Sequence, residues 1–113
     1  MENIKKVILI DLDGVLNSYR GEYNENYIEP VTVEAFQFIK DLSNEYRILI
    51  FTSRNLDLAA KWVKENNLEN YVESVTNIKK PSYLIIDDRC ITFDGKFSDL
   101  KNKINNFKVW YKN

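Results

Sequence analysis

The stretch Val7 to Asn17, VILIDLDGVLN, limits what this chain can become more than any other. Four apolar residues, Val7 to Ile10, run straight into Asp11, Leu12, Asp13 and Gly14. An unbroken apolar run closed by a turn signal predicts a strand buried on both faces, as in a parallel sheet. Ligands of open α/β sheets bind beyond the carboxyl ends of such strands. The pattern therefore delivers two carboxylates to the edge where chemistry sits. Period-two geometry puts Asp11 and Asp13 on one side and Leu12 on the other. Gly14 lets the chain bend sharply with no Cβ in the way of a ligand.

Two further apolar runs end in the same manner. RILIF, Arg47 to Phe51, leads into Thr52, Ser53 and Arg54, and YLII, Tyr83 to Ile86, leads into Asp87, Asp88 and Arg89. Helical spacing connects the first two runs: Thr32 is an N-cap with Glu34 behind it, followed by Val33, Phe36, Ile39 and Leu42. Asn55 caps the next helix, with Asp57 near its positive end and Leu58, Ala59, Trp62 and Val63 as its apolar face. Tyr71 to Val75 is a weaker strand signal. Asp94-Gly95 within Ile91 to Phe97 predicts a β-hairpin. Ser98 caps a last helix through about Asn105, and Phe107 to Trp110 supplies a final strand. The expected fold is α/β: a three-layer, Rossmann-like arrangement with a mainly parallel five-stranded sheet, helices on both faces and a small hairpin. Residues 1–113 form a single domain, with residues 18–30 as a flap too short to be a cap domain.

Bulk properties remove several function classes. Histidine is absent, which excludes a Ser-His-Asp triad, imidazole acid-base chemistry and histidine-ligated zinc. The one cysteine, Cys90, forms no intramolecular disulfide and suits a reducing, cytoplasmic setting. A net charge of -1 creates no global field for nucleic acid or anionic membrane. The apolar run at the start is too short for a signal peptide, and none has membrane-spanning length.

Four carboxylates at one sheet edge need something positive among them, or must hold protons. Two unit charges about 4 Å apart repel by roughly 4 kcal/mol at an effective dielectric near 20. An all-oxygen site of this kind suits a hard cation such as Mg²⁺. A carboxylate such as Asp11 can attack phosphorus, and Asp13 is placed to protonate a leaving oxygen and then activate water. Thr52 can donate a hydrogen bond to a phosphoryl group, with Ser53 beside it. Lys80, next to Lys79 and ahead of Pro81, can hold a phosphoryl oxygen. Arg54 reads equally as a phosphate clamp or as an exposed helix-start residue. Asp88 and Arg89 read equally as a structural ion pair or as direct participants. Tyr19, Tyr23 and Tyr27 read as packing for the flap or as stacking surfaces.

In these four motifs the chain resembles capless phosphatases of the haloacid dehalogenase superfamily. Asp11, Asp13 and Gly14 match the family's first motif, Thr52 the second, Lys80 the third, and Asp87 with Asp88 the fourth. The resemblance implies that Asp11 is the nucleophile and Asp13 the acid-base. It implies Mg²⁺ held by Asp11, the Asp13 backbone carbonyl and Asp87, with Asp88 as a further ligand or a supporting group. IDDR followed by TFDG is similar to small bacterial and phage members of that superfamily. The expected activity is phosphomonoester hydrolysis through an aspartyl phosphate. An open, capless site favours a large phosphorylated substrate, such as a nucleotide or a nucleic-acid end. Phosphoryl transfer to another acceptor, or a non-catalytic phosphate- and Mg²⁺-binding module, are the alternatives. A receiver domain is excluded by motif order, because here the acidic pair comes late.

Overall fold

A computed structural model describes residues 4–112. The elements run β1 (Val7–Ile10), α1 (Val33–Leu42), β2 (Arg47–Phe51), α2 (Leu56–Glu65), β3 (Ser74–Thr76), β4 (Leu84–Ile86) and α3 (Leu100–Asn105). The strands form one parallel sheet in the order β3-β2-β1-β4. The first apolar run is thus an interior strand, paired through Ile8↔Ile48 on one side and Ile8↔Leu84 on the other. Its burial follows from that position: Ile8, Leu9 and Ile10 are all at most 3% exposed.

Alternation along β1 and β2 directs Ile8, Ile10, Ile48 and Ile50 to one face, where they join Ala35 and Ile39 of α1 and Ala59, Trp62 and Val63 of α2 in one buried cluster. Each of the buried isoleucines taken from water contributes about 1.5–3 kcal/mol. Both helices start where side-chain caps dictate. Thr32 Oγ1 accepts from the Ala35 N–H at 3.1 Å, and Asn55 Oδ1 accepts from the Leu58 N–H at 3.0 Å. Beyond α2, Asn67 takes the left-handed conformation, φ 59°, which asparagine tolerates and which ends the helix.

The flap is a loop, as its sequence suggests. An isolated antiparallel bridge, Asn17↔Val31, closes its base. Trp62 Nε1 donates to the Glu29 carbonyl at 2.8 Å, and Ile28 is buried.

The second half of the chain departs from expectation. The sheet has four strands rather than five. Phe107 to Trp110 alternates like a strand, but side-chain anchors hold it elsewhere. Val109 is buried, and Trp110 Nε1 donates to the Gly14 carbonyl at 2.7 Å. Ile91 to Phe97 forms no hairpin. Asp94 Oδ1 instead accepts from the Lys96 N–H at 3.0 Å, a local turn that competes with ladder pairing. The third strand is shifted to Ser74–Thr76, because Tyr71 and Val72 donate their N–H groups back to the Leu68 carbonyl. Asp99, not Ser98, occupies the N-cap of α3, without a side-chain cap bond.

Nor do packed helices cover both faces, since no residue of α3 is buried. The β3–β4 connection, Asn77 to Tyr83, contains no helix. It crosses three strand spacings, about 14 Å, and seven extended residues reach at most about 25 Å, so a bare link suffices. No helix among the described residues is long and apolar enough to cross a membrane.

Candidate functional site

The carboxyl ends of β1, β2 and β4 open onto one cavity of about 410 Å³. Asp11 and Asp13 enter it after β1, Thr52 and Ser53 after β2, and Asp87 and Asp88 after β4. Parallel pairing of neighbouring strands in register brings them together: Ile10 lies beside both Ile50 and Ile86. The Asp11 N–H donates to the Ile86 carbonyl at 2.8 Å, which carries the pairing one residue past β1.

One carboxylate oxygen from each of Asp11, Asp87 and Asp88 lies within 4.8 Å of the other two. Crowding has a chemical consequence. The Asp11 carboxyl is pushed up to about 8, first by burial, then by a hydrogen bond with Asp88 and by the charges of Asp87 and Asp88. Asp87 is also raised, chiefly by burial. Three oxygens this close could hold a hard cation, whose charge would oppose the burial and repulsion that raise Asp11. Asp88 therefore stands with Asp11 and Asp87 as a candidate ligand.

The Asp13 side chain is not part of this cluster. Its two oxygens accept from Arg54, Nε to Oδ2 at 2.7 Å and NH2 to Oδ1 at 3.0 Å. Arg54 is 2% exposed, so it is neither a surface residue nor a free phosphate clamp. Its remaining terminal nitrogen, NH1, donates to the Asn24 carbonyl of the flap, and its guanidinium stacks 4.3 Å over the Tyr23 ring.

Gly14 and Asn17 shape the turn. Gly14 has φ 84°, and a Cβ there would lie 2.3 Å from Asp88 Oδ2. Asn17 Oδ1 accepts from the Gly14 and Tyr19 N–H groups, and its Nδ2 donates to Asp13 Oδ1 at 3.1 Å. Asn17 is a site-shaping residue that motif reasoning passes over. Its signal was there: a short amide three residues beyond a glycine, able to satisfy turn N–H groups.

Thr52 is buried and its Oγ1 accepts from the Arg54 N–H at 3.1 Å, which leaves the hydroxyl proton free for a ligand. Ser53 is exposed on the cavity wall. Tyr19, Tyr23, Phe51, Asn77 and Arg89 complete that wall, whereas Tyr27 lines a separate groove beside Trp62. Lys79 and Lys80 are exposed and neither reaches the cavity. The charge of Lys80 acts on Glu73 instead, where it adds to the Arg47 ion pair in lowering that carboxyl. Of the sequence-derived set, Asp11, Asp13, Thr52, Ser53, Asp87 and Asp88 are gathered, Arg54 supports them from behind, and Lys80 stands apart.

Together these features define a small α/β protein with a polar cavity at the carboxyl edge of a parallel sheet. No family model matches the chain, and no curated protein does. A solved structure described as that of a conserved protein coded by a locus from Bacteroides thetaiotaomicron is similar, with a TM-score of 0.58 over 90% of this chain and 91% of that one. At 18% sequence identity this likeness shows the fold alone.

Proposed function

We propose that the chain is a Mg²⁺-dependent phosphomonoester hydrolase with a Rossmann-like fold of the haloacid dehalogenase type. The observation that supports this best is the cavity in which Asp11, a nucleophile candidate, meets Asp87, Asp88 and the Thr52 hydroxyl. Asp11, Asp87 and Asp88 would hold the cation, which would supply positive charge that favours the ionised Asp11 carboxylate and offsets a substrate phosphate.

The reaction follows from the residues. An Asp11 oxygen attacks phosphorus as the ester P–O bond breaks, and Asp13 gives the leaving oxygen a proton. Asp13 then takes a proton from water, whose oxygen attacks the aspartyl phosphate and releases inorganic phosphate and the Asp11 carboxylate. For these transfers one Asp13 oxygen must leave the Arg54 fork and take up a proton from solvent before the first step; the proton taken from water in the second step then restores it. Thr52 and Ser53 donate to the phosphoryl oxygens. The open mouth, with Tyr19 and Tyr23 on its wall, suits a phosphate on a larger body such as a nucleotide or a nucleic-acid end. A cytoplasmic setting keeps the exposed Cys90 reduced.

One observation favours a second reading. Both Asp13 oxygens are engaged by Arg54, an arrangement that also serves a phosphate- and metal-binding module without turnover. Hydrolysis of p-nitrophenyl phosphate and of nucleoside monophosphates with Mg²⁺ separates the two. Turnover that Asp11→Asn lowers by at least about 10³-fold supports the hydrolase. Equal rates for wild type and Asp11→Asn on every substrate contradict it.

A further inference from the structure

We propose that Arg89 is the residue that holds the substrate phosphate, the role that sequence spacing gives to Lys80. The inference rests on the phosphate-binding reading of the same cavity and goes beyond its motifs. Charge makes the case first. Asp11, Asp13, Asp87 and Asp88 all stand on the cavity wall, and a phosphate monoester adds roughly two negative charges more. A cation among the carboxylates offsets part of this, but a guanidinium or ammonium facing the phosphate is still required.

Three basic side chains compete for that place. Arg54 is spent: its fork grips both Asp13 oxygens and its NH1 donates to the Asn24 carbonyl. Lys80 is exposed and lies off the cavity, with its charge acting on Glu73. Arg89 is on the wall. Among the described residues it belongs to no ion pair, and its side chain makes one hydrogen bond, NH2 to Tyr111 Oη at 3.4 Å. Most of its five N–H donors remain free.

Its placement is fixed at both ends. The Arg89 N–H donates to Asp87 Oδ1 at 2.9 Å, which ties the base of the side chain to the acidic cluster. Tyr111 Oη accepts from the guanidinium at 3.4 Å and its ring meets that of Tyr19, another wall residue, edge-on at 6.2 Å. A planar fork takes two phosphate oxygens at once, which an ammonium does not. Asn77 and Ser53 on the same wall add neutral donors.

Calorimetric titration with inorganic phosphate in saturating Mg²⁺ tests this on wild type, Arg89→Ala, Arg89→Lys and Lys80→Ala. Thermal melts of all four check folding; Arg89 and Lys80 are both exposed, so the melts are expected to coincide. Arg89→Ala is expected to weaken phosphate binding by at least about tenfold more than Lys80→Ala does, the loss of a charged hydrogen-bond donor pair. Arg89→Lys should recover part of the affinity. Loss of binding in Lys80→Ala with retention in Arg89→Ala overturns the assignment. Wild type that binds no phosphate overturns it together with the phosphate reading of the cavity. Wild type that binds through Arg89 yet hydrolyses nothing upholds the assignment and contradicts only the hydrolase.

Discussion

At the scale of single residues, the site depends on a few positions where two demands coincide. Gly14 is one: its φ of 84° disfavours any side chain, and the space a Cβ would take belongs to Asp88 Oδ2. Gly14→Ala is expected to cost about 1–2 kcal/mol from backbone conformation. It should also push Asp88 from the cluster and weaken Mg²⁺ binding, both read from a denaturant curve and a Mg²⁺ titration. Asp11 makes a pH prediction. Its folded value near 8 lies above its ordinary 3.8, so between these the folded state carries the extra proton. Without divalent cation, stability is therefore greatest at the acidic end of this window and falls as pH rises from about 4 to 8. Urea curves in chelator at several pH values check the sign, and saturating Mg²⁺ at the alkaline end should reverse the loss. In both cases the sequence shows which residues matter, but not the contact that makes them matter. Asp-x-Asp-Gly announces a turn with two carboxylates. It does not reveal that one joins a cluster of three acids while the other turns to an arginine.

At the scale of elements, three strands bring the carboxylates to one cavity and the flap is pinned beside it. Arg54 joins the two, holding Asp13 with its fork and the flap through Asn24. Arg54→Met leaves Asp13 without its partner in a largely buried pair and is expected to cost about 3 kcal/mol. The same change should raise protease cleavage between residues 18 and 30 more than elsewhere, as limited proteolysis with mass mapping would show. Unchanged stability and unchanged cleavage would remove the link between Asp13 and the flap. Elements with local signals were legible: Thr32 and Asn55 cap as read, and the runs at residues 7–10 and 47–51 are strands with the expected bounds. Elements that depend on distant partners were not. Phe107 to Trp110 has the alternation of a strand, but the indole N–H of Trp110 found the Gly14 carbonyl ninety-six positions away. Asp94-Gly95 turns as its sequence requires, yet the flanking residues found no ladder to join. Lys80 illustrates the same limit in the site: spacing brings it near the fourth strand, while the loop it belongs to carries its side chain outward.

At the scale of the whole molecule, the chain closes on itself around the cavity. Its last described segment packs against its first turn: Trp110 bonds to Gly14, Tyr111 meets Tyr19, and the guanidinium of Arg20 lies 4.6 Å over the Trp110 ring. Ending the chain after Asn106 removes these contacts but none of the isoleucines, alanines or Trp62 of the cluster between sheet and helices. Hydrogen exchange on that shortened chain should show faster exchange at residues 14–21 with little change in β1 and β2. Equal protection in both regions would mean that the segment braces nothing. The proposed function requires this open cavity to perform covalent chemistry on phosphorus at one carboxylate. The most direct measurement is mass spectrometry of Asp13→Asn incubated with Mg²⁺ and a reactive aryl phosphate, since slowing the second step lets the intermediate accumulate. One added phosphoryl group mapped to Asp11, and absent from the double variant with Asp11→Asn, is the predicted result. A chain that hydrolyses phosphate esters equally well without Asp11, or that carries the group on another residue, would contradict the account.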